Sequence, residues 1–288
     1  VNITCVAVIG GSGLYQFPEL TQVEALQIDT PFGPPSSEII RGTIGPTQVL
    51  FVARHGLGHR LMPTEINTRA NLWALKSLGA QQLVSVSAVG SLHEQVHPLD
   101  LVLPDQYIDR TRHRPDTFFG NGLVAHVSLA EPTCLALRHA LAEAARSVGA
   151  TVHVGGTYLC MEGPQFSTRA ESRWFRSMGA SVIGMTNMQE ARLCREAELC
   201  FASICLVTDY DCWKEDEAAV TVEAIIDRMH QNAARARRTI VQWLTSPLSR
   251  SCDCAFALDP AIVTQRDTIP PATIELLRPL LARVLQLP

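Results

Sequence analysis

The sequence predicts an α/β fold: a single layered domain with a central β-sheet flanked by helices. Three observations lead there. Short apolar runs alternate with amphipathic stretches along the chain, as in strand–helix units. Several of the runs are apolar throughout, as strands covered on both faces must be. Hydrophobic residues make up 47% of the 288 residues and charged residues 18%, which permits a large core and argues against disorder.

Strands are expected at residues 6–9, 48–53, 83–87, 101–103, 157–161, 182–184 and 201–207. Helices are expected at 63–78, 133–148, 168–178, 188–197, 221–243 and 271–284. In the fifth helix, Val222, Ile225, Ile226, Met229, Ala233, Ala236, Ile240 and Trp243 recur at helical spacing. Pro271 suits the first turn of the last one. Residues 246–271, rich in Ser, Pro, Asp and Cys, look like a loop that returns a terminal helix to the body. Residues 246–288 therefore form a C-terminal extension of one domain spanning 1–288.

The net charge of −4 gives no electrostatic reason to expect nucleic acid or an anionic membrane as partner. No run of about 18 apolar residues exists to span a bilayer. The opening VNITCVAVIGGSG has no basic leader and runs straight into a glycine loop, so it reads as a first strand and a cytoplasmic location is expected. Of the nine cysteines, most sit in apolar, strand-like surroundings and read as buried free thiols. Cys252-Asp253-Cys254 lies in a polar loop instead. One C-x-C without a second pair or a histidine cluster is a poor basis for zinc, so no metal is expected.

Five segments at strand ends carry candidate chemistry. In Ile9-Gly10-Gly11-Ser12-Gly13-Leu14 the glycines let backbone N–H groups turn toward an anion, and Ser12 adds a hydroxyl. The spacing matches neither a dinucleotide loop nor a P-loop, and a tight turn explains it equally well. In Ala53-Arg54-His55-Gly56, Arg54 offers a fork of donors to phosphate, the alternative being a structural ion pair. The small residues of Ser85-Val86-Ser87-Ala88-Val89-Gly90-Ser91 allow close approach to the backbone. In the segment from Met161 to Glu171, Gly163-Pro164 breaks the strand, and Ser167 or Thr168 can cap a helix with Glu171. Phe166 either stacks on a flat ring or joins the core.

The fifth segment, Thr208-Asp209-Tyr210-Asp211-Cys212-Trp213, follows the most apolar strand. Carboxylates spaced i, i+2 at a strand end point to one side. Burial and mutual repulsion should raise at least one pKa, leaving an acid able to donate a proton near neutrality. Two solvated loop aspartates are the alternative. Calcium is disfavoured because no oxygen-rich loop surrounds them.

Together with Asp29-Thr30-Pro31-Phe32-Gly33, Asn71-Leu72-Trp73-Ala74-Leu75-Lys76 and Lys214-Glu215, these motifs in this order resemble the trimeric branch of the purine nucleoside phosphorylase superfamily. The nearer likeness is to its methylthioadenosine phosphorylases, from about Val6 to about Trp243. The resemblance implies a nucleoside phosphorylase-like fold with a mixed central sheet, and phosphorolysis of S-methyl-5'-thioadenosine to adenine and 5-methylthioribose 1-phosphate in methionine and purine salvage. Phosphate is then a co-substrate, and neither metal nor organic cofactor is required. The phosphate site falls on Ser12, Arg54, His55, Ser87, Ala88 and Thr186. The backbone around Met185 meets the ribose, Asp209 and Asp211 meet N7 and the 6-amino group, and Phe166 and Ser167 line the base pocket. Val222, Ile225 and Ile226 make an apolar slot for the methylthio group.

The resemblance also implies a homotrimer or a dimer of trimers, in which His126 reaches a neighbour's site. Asp116-Thr117-Phe118-Phe119-Gly120-Asn121 fits an interface, since a monomer would expose its two phenylalanines. One departure from the family is Asn187-Met188-Gln189-Glu190, where a proline is expected before the glutamate. The final segment resembles an extension in which heat-adapted relatives form disulfides. By that analogy Cys252 or Cys254 bonds to Cys194 or Cys200. The main rival activity is a 6-oxopurine nucleoside phosphorylase acting on inosine, guanosine or methylthioinosine. A 6-oxo base with a protonated N1 suits asparagine at position 209, whereas a 6-amino group seeks the carboxylate found there. A catalytically silent purine-binding protein is the rival from another class.

Overall fold

The computed structural model describes residues 3–11, 14, 17–214, 222–246, 248 and 250–287. Among these, eleven strands join one mixed sheet. Strand β1 (Cys5–Gly10) lies between β4 (Thr47–Ala53) and β5 (Gln82–Ser91), parallel to both. On the outer side of β4, β3 (Ile39–Ile44) and β2 (Thr21–Leu26) add an antiparallel edge. β5 also runs parallel to β11 (Cys200–Asp209) along nearly its whole length. At its C-terminal end, Gly90 and Ser91 turn to pair antiparallel with β10 (Ala180–Gly184). The sheet forks there. One arm continues from β10 through β9 (Thr157–Met161) to β7 (Gln106–Arg110). The other runs from β11 through β6 (Leu101–Leu103) to β8 (Val152–Val154).

The alternation of side chains along β1 sorts the core into two layers. Val6 and Val8 face α2 (Leu135–Ser147) and α5 (Val222–Leu244) through Leu137, Leu141, Ile240 and Trp243. Ala7 and Ile9 face α1 (Thr68–Ser77), α4 (Asn187–Glu196) and α7 (Arg278–Leu285) through Leu72, Leu75, Leu193 and Leu281. Helices on both faces explain why β1 and β11 could be apolar at nearly every position. Between β9 and β10, α3 (Arg169–Ser177) begins with the expected capping box. Thr168 Oγ1 accepts from the Glu171 N–H at 3.2 Å, and Glu171 Oε2 accepts from the Thr168 N–H at 2.8 Å. The extension packs on the second layer with Leu258, Ala261, Ile269 and Leu280, and Trp73 Nε1 donates to the Leu276 carbonyl at 3.1 Å.

Several expectations are corrected. Residues 63–78 are not one helix: a 3₁₀ turn at Pro63–Glu65 precedes α1, which Asn67 caps through Oδ1. Residues 271–284 form two helices, α6 (Pro271–Leu276), with Pro271 in its first turn, and α7. Pro279 follows the break, where a proline has no N–H for an unbroken helix. Strands β2, β3, β7 and β8 were not expected, being short or polar. Phe118 and Phe119 are not displayed for a partner. Phe118 is 4% exposed and packs 5.5 Å from the Phe32 ring, and Phe119 packs partly buried on the same core. All nine cysteines are free, so the expected disulfide is not formed, although Cys252 Sγ lies 3.3 Å from Cys200 Sγ. No helix among the described residues is long and apolar enough to cross a membrane.

Candidate active site

The parallel strands bring their C-terminal ends to one edge, where open α/β sheets place ligands. Arg54 leaves the end of β4, and its backbone N–H bonds the Gly10 carbonyl at the end of β1. Its side chain is 1% exposed. Nε donates to Glu190 Oε1 at 2.6 Å and Nη2 to Ser85 Oγ at 2.6 Å, with Glu190 Oε2 at 3.3 Å. Nη1 donates to the Val86 carbonyl at 2.8 Å. Arg54 forms a buried ion pair with Glu190, and that pair locks the plane of the guanidinium. Of the two Nη1 hydrogens, one has a protein acceptor among the described residues. The same nitrogen borders the glycine loop, since a Cβ built on Gly11 would lie 3.5 Å from it.

Glu190 has a further role. β10 runs antiparallel to the end of β5, so the chain leaving Gly184 comes back beside Ser87 and starts α4 there. Ser87 Oγ donates to Asn187 Oδ1 at 3.1 Å, while Asn187 Nδ2 donates to Ser85 Oγ at 2.7 Å and Glu190 Oε2 at 3.0 Å. This network satisfies the buried carboxylate on all sides. At Gln189, where the family pattern expects a proline, the side chain accepts from Arg114 Nη1 at 3.2 Å and donates to Thr111 Oγ1 at 2.8 Å. Thr186 occupies the N-cap with no side-chain cap bond, at a helix end whose dipole favours an anion. Ala88 stands half-buried on the same stretch of β5. Ser12 lies outside the described residues.

His55 stacks on His59 with ring centroids 4.1 Å apart. Burial, aided by the Arg54 charge, lowers its pKa to about 4, so the ring is neutral at pH 7. Nδ1 contacts the Leu61 carbonyl at 2.8 Å. A carbonyl can only accept, so the proton sits on Nδ1 and Nε2 is left as an acceptor.

The second group forms where the sheet forks. Asp209 ends β11, and Asp211 follows in a turn at φ 54°, so the pair is not simply two alternate positions of one strand. The two are nonetheless neighbours: a Cβ built on Gly90 would lie 3.0 Å from Asp209 Oδ1 and 3.4 Å from Asp211 Cβ. Asp209 Oδ2 accepts from Thr208 Oγ1 at 2.6 Å, and Oδ1 accepts from the Asp211 N–H at 2.7 Å. Burial pushes the Asp209 carboxyl up against these bonds. It does the same to Asp211, where the Asp209 charge adds to the rise. The turn is clamped by Trp213 Nε1 donating to the Ser91 carbonyl at 2.8 Å, with Arg176 3.5 Å over the indole ring. Cys212 Sγ donates to the Ser167 carbonyl at 3.2 Å, which ties Ser167 to this group. Phe166 beside it is 58% exposed, so it is not core.

Arg114 braces the turn between β10 and α4 against the end of β9. Nε pairs with Glu162 Oε1 at 3.1 Å, and Nη1 donates to the Met185 carbonyl. That carbonyl is therefore engaged by protein. Gly163, at φ 70°, leaves room that the Met185 side chain fills. Arg114, Asn187, Ser85 and Glu190 were not expected as site residues. Ser85, Asn187 and Glu190 lay in segments singled out beforehand, whereas no local pattern marks Arg114 within its polar loop. The expected methylthio slot is less complete. Val222 and Ile226 are 60% and 41% exposed on the first turns of α5, and the Ile225 side chain lies outside the described residues. That helix does reach the site, because Arg228 Nη1 donates to the Thr208 carbonyl at 2.8 Å. His126 is exposed, with its N–H on the Ala261 carbonyl at 2.8 Å. No side-chain hydrogen bond among the described residues joins it to either group.

The model of the phosphorylase superfamily matches residues 6–245. The chain belongs to the phosphorylase superfamily. This phosphorylase is 53% identical over 285 residues to the S-methyl-5'-thioadenosine phosphorylase of Gloeobacter violaceus, covering 96% of this chain and 95% of the relative. It is 52% identical over 272 residues to the enzyme of that name from Geobacter sulfurreducens, covering 94% and 95%. Its fold matches the crystal structure of a methylthioadenosine phosphorylase from an antarctic soil metagenomic library, with a TM-score of 0.90 and 46% identity over 97% of this chain and 99% of that one. A Schistosoma mansoni methylthioadenosine phosphorylase in complex with adenine matches with a TM-score of 0.80 and 36% identity, over 84% and 91%.

Proposed function

We propose that this phosphorylase cleaves the glycosidic bond of S-methyl-5'-thioadenosine with inorganic phosphate, giving adenine and 5-methylthioribose 1-phosphate. The observation that carries the reading is the half-buried Asp209–Asp211 pair, whose carboxyls are both pushed up by desolvation. Adenine leaves poorly as an anion. A carboxyl that keeps its proton closer to neutrality can deliver it to N7, and a second acceptor suits the 6-amino hydrogens. The near-full-length identity to relatives named for this substrate supports the same choice over a 6-oxopurine activity.

Phosphate is read into the space bordered by Gly11, Ser87, Ala88, Thr186 and Arg54 Nη1. The Glu190 pair fixes the guanidinium before the anion arrives, so little reorganisation is left for the reaction itself. A neutral His55 with its proton on Nδ1 accepts, through Nε2, a hydrogen bond from a protonated phosphate oxygen. Phosphate below the sugar serves as nucleophile, and its charge stabilises the oxocarbenium-like transition state. The reading needs no cofactor beyond phosphate. It takes the working unit to be a homotrimer, alone or paired into a hexamer, acting in methionine and purine salvage.

A panel of nucleosides incubated with and without phosphate tests the activity. Methylthioadenosine should release adenine only with phosphate, well ahead of inosine and guanosine. Asp209→Asn should slow adenine release by about 10²–10⁴-fold and shift preference toward 6-oxo bases. Unchanged rate and preference would remove Asp209 from the mechanism.

A further inference from the structure

The sequence offers one C-x-C, which alone is a weak metal motif. The fold supplies what was missing. Cys252 and Cys254, on the extension, meet Cys134 at the start of α2 and Cys200 at the start of β11, and the four Sγ atoms all lie within 4.8 Å of one another. Cys134, Cys200 and Cys254 are buried, and Cys252 is half-buried. The cluster lies at the far end of β11 from Asp209, roughly 30 Å away at about 3.3 Å per residue, so it is no part of the site above.

Two features set this cluster apart from ordinary buried thiols. The first is geometric. A tetrahedral tetrathiolate zinc with Zn–S of about 2.3 Å needs sulfurs about 3.8 Å apart. The observed set spans that distance, with Cys200 and Cys252 at 3.3 Å and the rest within 4.8 Å. Two disulfides would draw sulfurs to about 2.05 Å pair by pair, and would need no gathering of all four around one point.

The second feature is charge. Arg195 Nη1 donates to Cys254 Sγ at 3.8 Å, and Arg250 lies beside Cys200 and Cys252. Arg195 and Arg250 otherwise bond backbone carbonyls, of Ser128 and Glu198. Among the described residues, Arg250 Nε is buried with no hydrogen-bond partner. The carboxylates of Glu198 and Asp259 pair with Arg283. Two half-buried cations beside the four sulfurs suit an anionic centre. Four thiolates around one divalent cation carry a net charge of about −2, and N–H···S bonds from flanking arginines are the outer shell such a centre uses.

We propose that Cys134, Cys200, Cys252 and Cys254 bind one structural zinc ion that fastens the C-terminal extension to β11 and α2. Binding releases the thiol protons to solvent and involves no change of oxidation state.

The test is metal content. Protein produced in zinc-replete medium and purified anaerobically without chelator should contain about one zinc per chain, by elemental mass spectrometry. Cys134→Ser and Cys254→Ser should each lose most of that zinc, whereas Cys160→Ser, a buried cysteine outside the cluster, should retain it. If the cluster variants fail to fold, cobalt(II) added to metal-free wild-type protein decides the matter. A tetrahedral tetrathiolate absorption spectrum saturating at about one equivalent supports the site, and no such spectrum overturns it. Four free thiols without bound metal, or thiol-trapped protein showing disulfides among these cysteines, would also overturn it.

Discussion

At the residue scale, the site is set by where protons sit. His55 is buried beside Arg54, and both effects disfavour imidazolium. Its folded pKa of about 4 is below the ordinary imidazole value of 6.5. The stability contributed by the neutral ring is therefore fully present above pH 6.5 and is lost as pH falls toward 4. Nitrogen-15 NMR of the imidazole should show the Nδ1–H tautomer at pH 7 and no protonation at pH 5.5. A ring that titrates near pH 6.5 would contradict the burial and orientation assigned to it. The sequence showed Arg54, His55, Asp209 and Asp211 because charged side chains at the ends of apolar strands stand out. It did not show Arg114 or Asn187, whose partners are 71 and 102 residues away. Polar residues committed to such distant contacts leave no local trace.

At the scale of elements, α4 supports both the site and the fold. Its first turn carries Glu190, paired with Arg54. Removing one partner of a buried pair strands the other charge, so Glu190→Ala should destabilise the protein by about 3–5 kcal/mol and raise KM for phosphate. Glu190→Gln keeps the acceptor to Nε and should cost less. Equal stability of Glu190→Ala and wild type in denaturant titrations would show that the pair is dispensable. The last turn carries Glu196, which accepts from the Phe118 N–H and Thr117 Oγ1, both at 2.7 Å. Burial raises its pKa from 4.5 to about 7. The folded state holds a proton there that the unfolded chain releases, so this group's contribution is greatest below pH 4.5 and fades by pH 7. The loss is about 3 kcal/mol by linkage. Glu196→Gln should remove that slope from stability measured against pH, and an unchanged slope would show that another group causes it.

The same scale shows what the sequence could convey. The buried strands β1, β4, β5, β9 and β11 and the long helices announced themselves by apolar runs or helical spacing. The edge strands did not, since Thr21–Leu26 is exposed at nearly every position and an edge has no need of an apolar run. The misjudged fate of Phe118 has a similar cause. Its partner Phe32 is 86 positions earlier in the chain, and a loop aromatic looks the same whether it is covered by its own chain or by another.

At the scale of the whole molecule, the extension and the subunit contacts frame the site. With Phe118 buried at home, the trimer reading rests on the family likeness and on His126, which is exposed on the strand-like bridge to the extension. If His126 completes a neighbour's site, inactive His126→Ala and Arg54→Ala chains should regain partial activity when unfolded together and refolded as mixed oligomers. Sedimentation of a fully active monomer would contradict a shared site.

The central claim is that phosphate, not water, cleaves the nucleoside. Phosphorus-31 NMR of the protein with methylthioadenosine and inorganic phosphate measures this directly. A sugar 1-phosphate signal should grow in step with free adenine, one for one, with no adenine released when phosphate is left out. Adenine released at the same rate without phosphate, with no phosphate ester formed, would contradict the account.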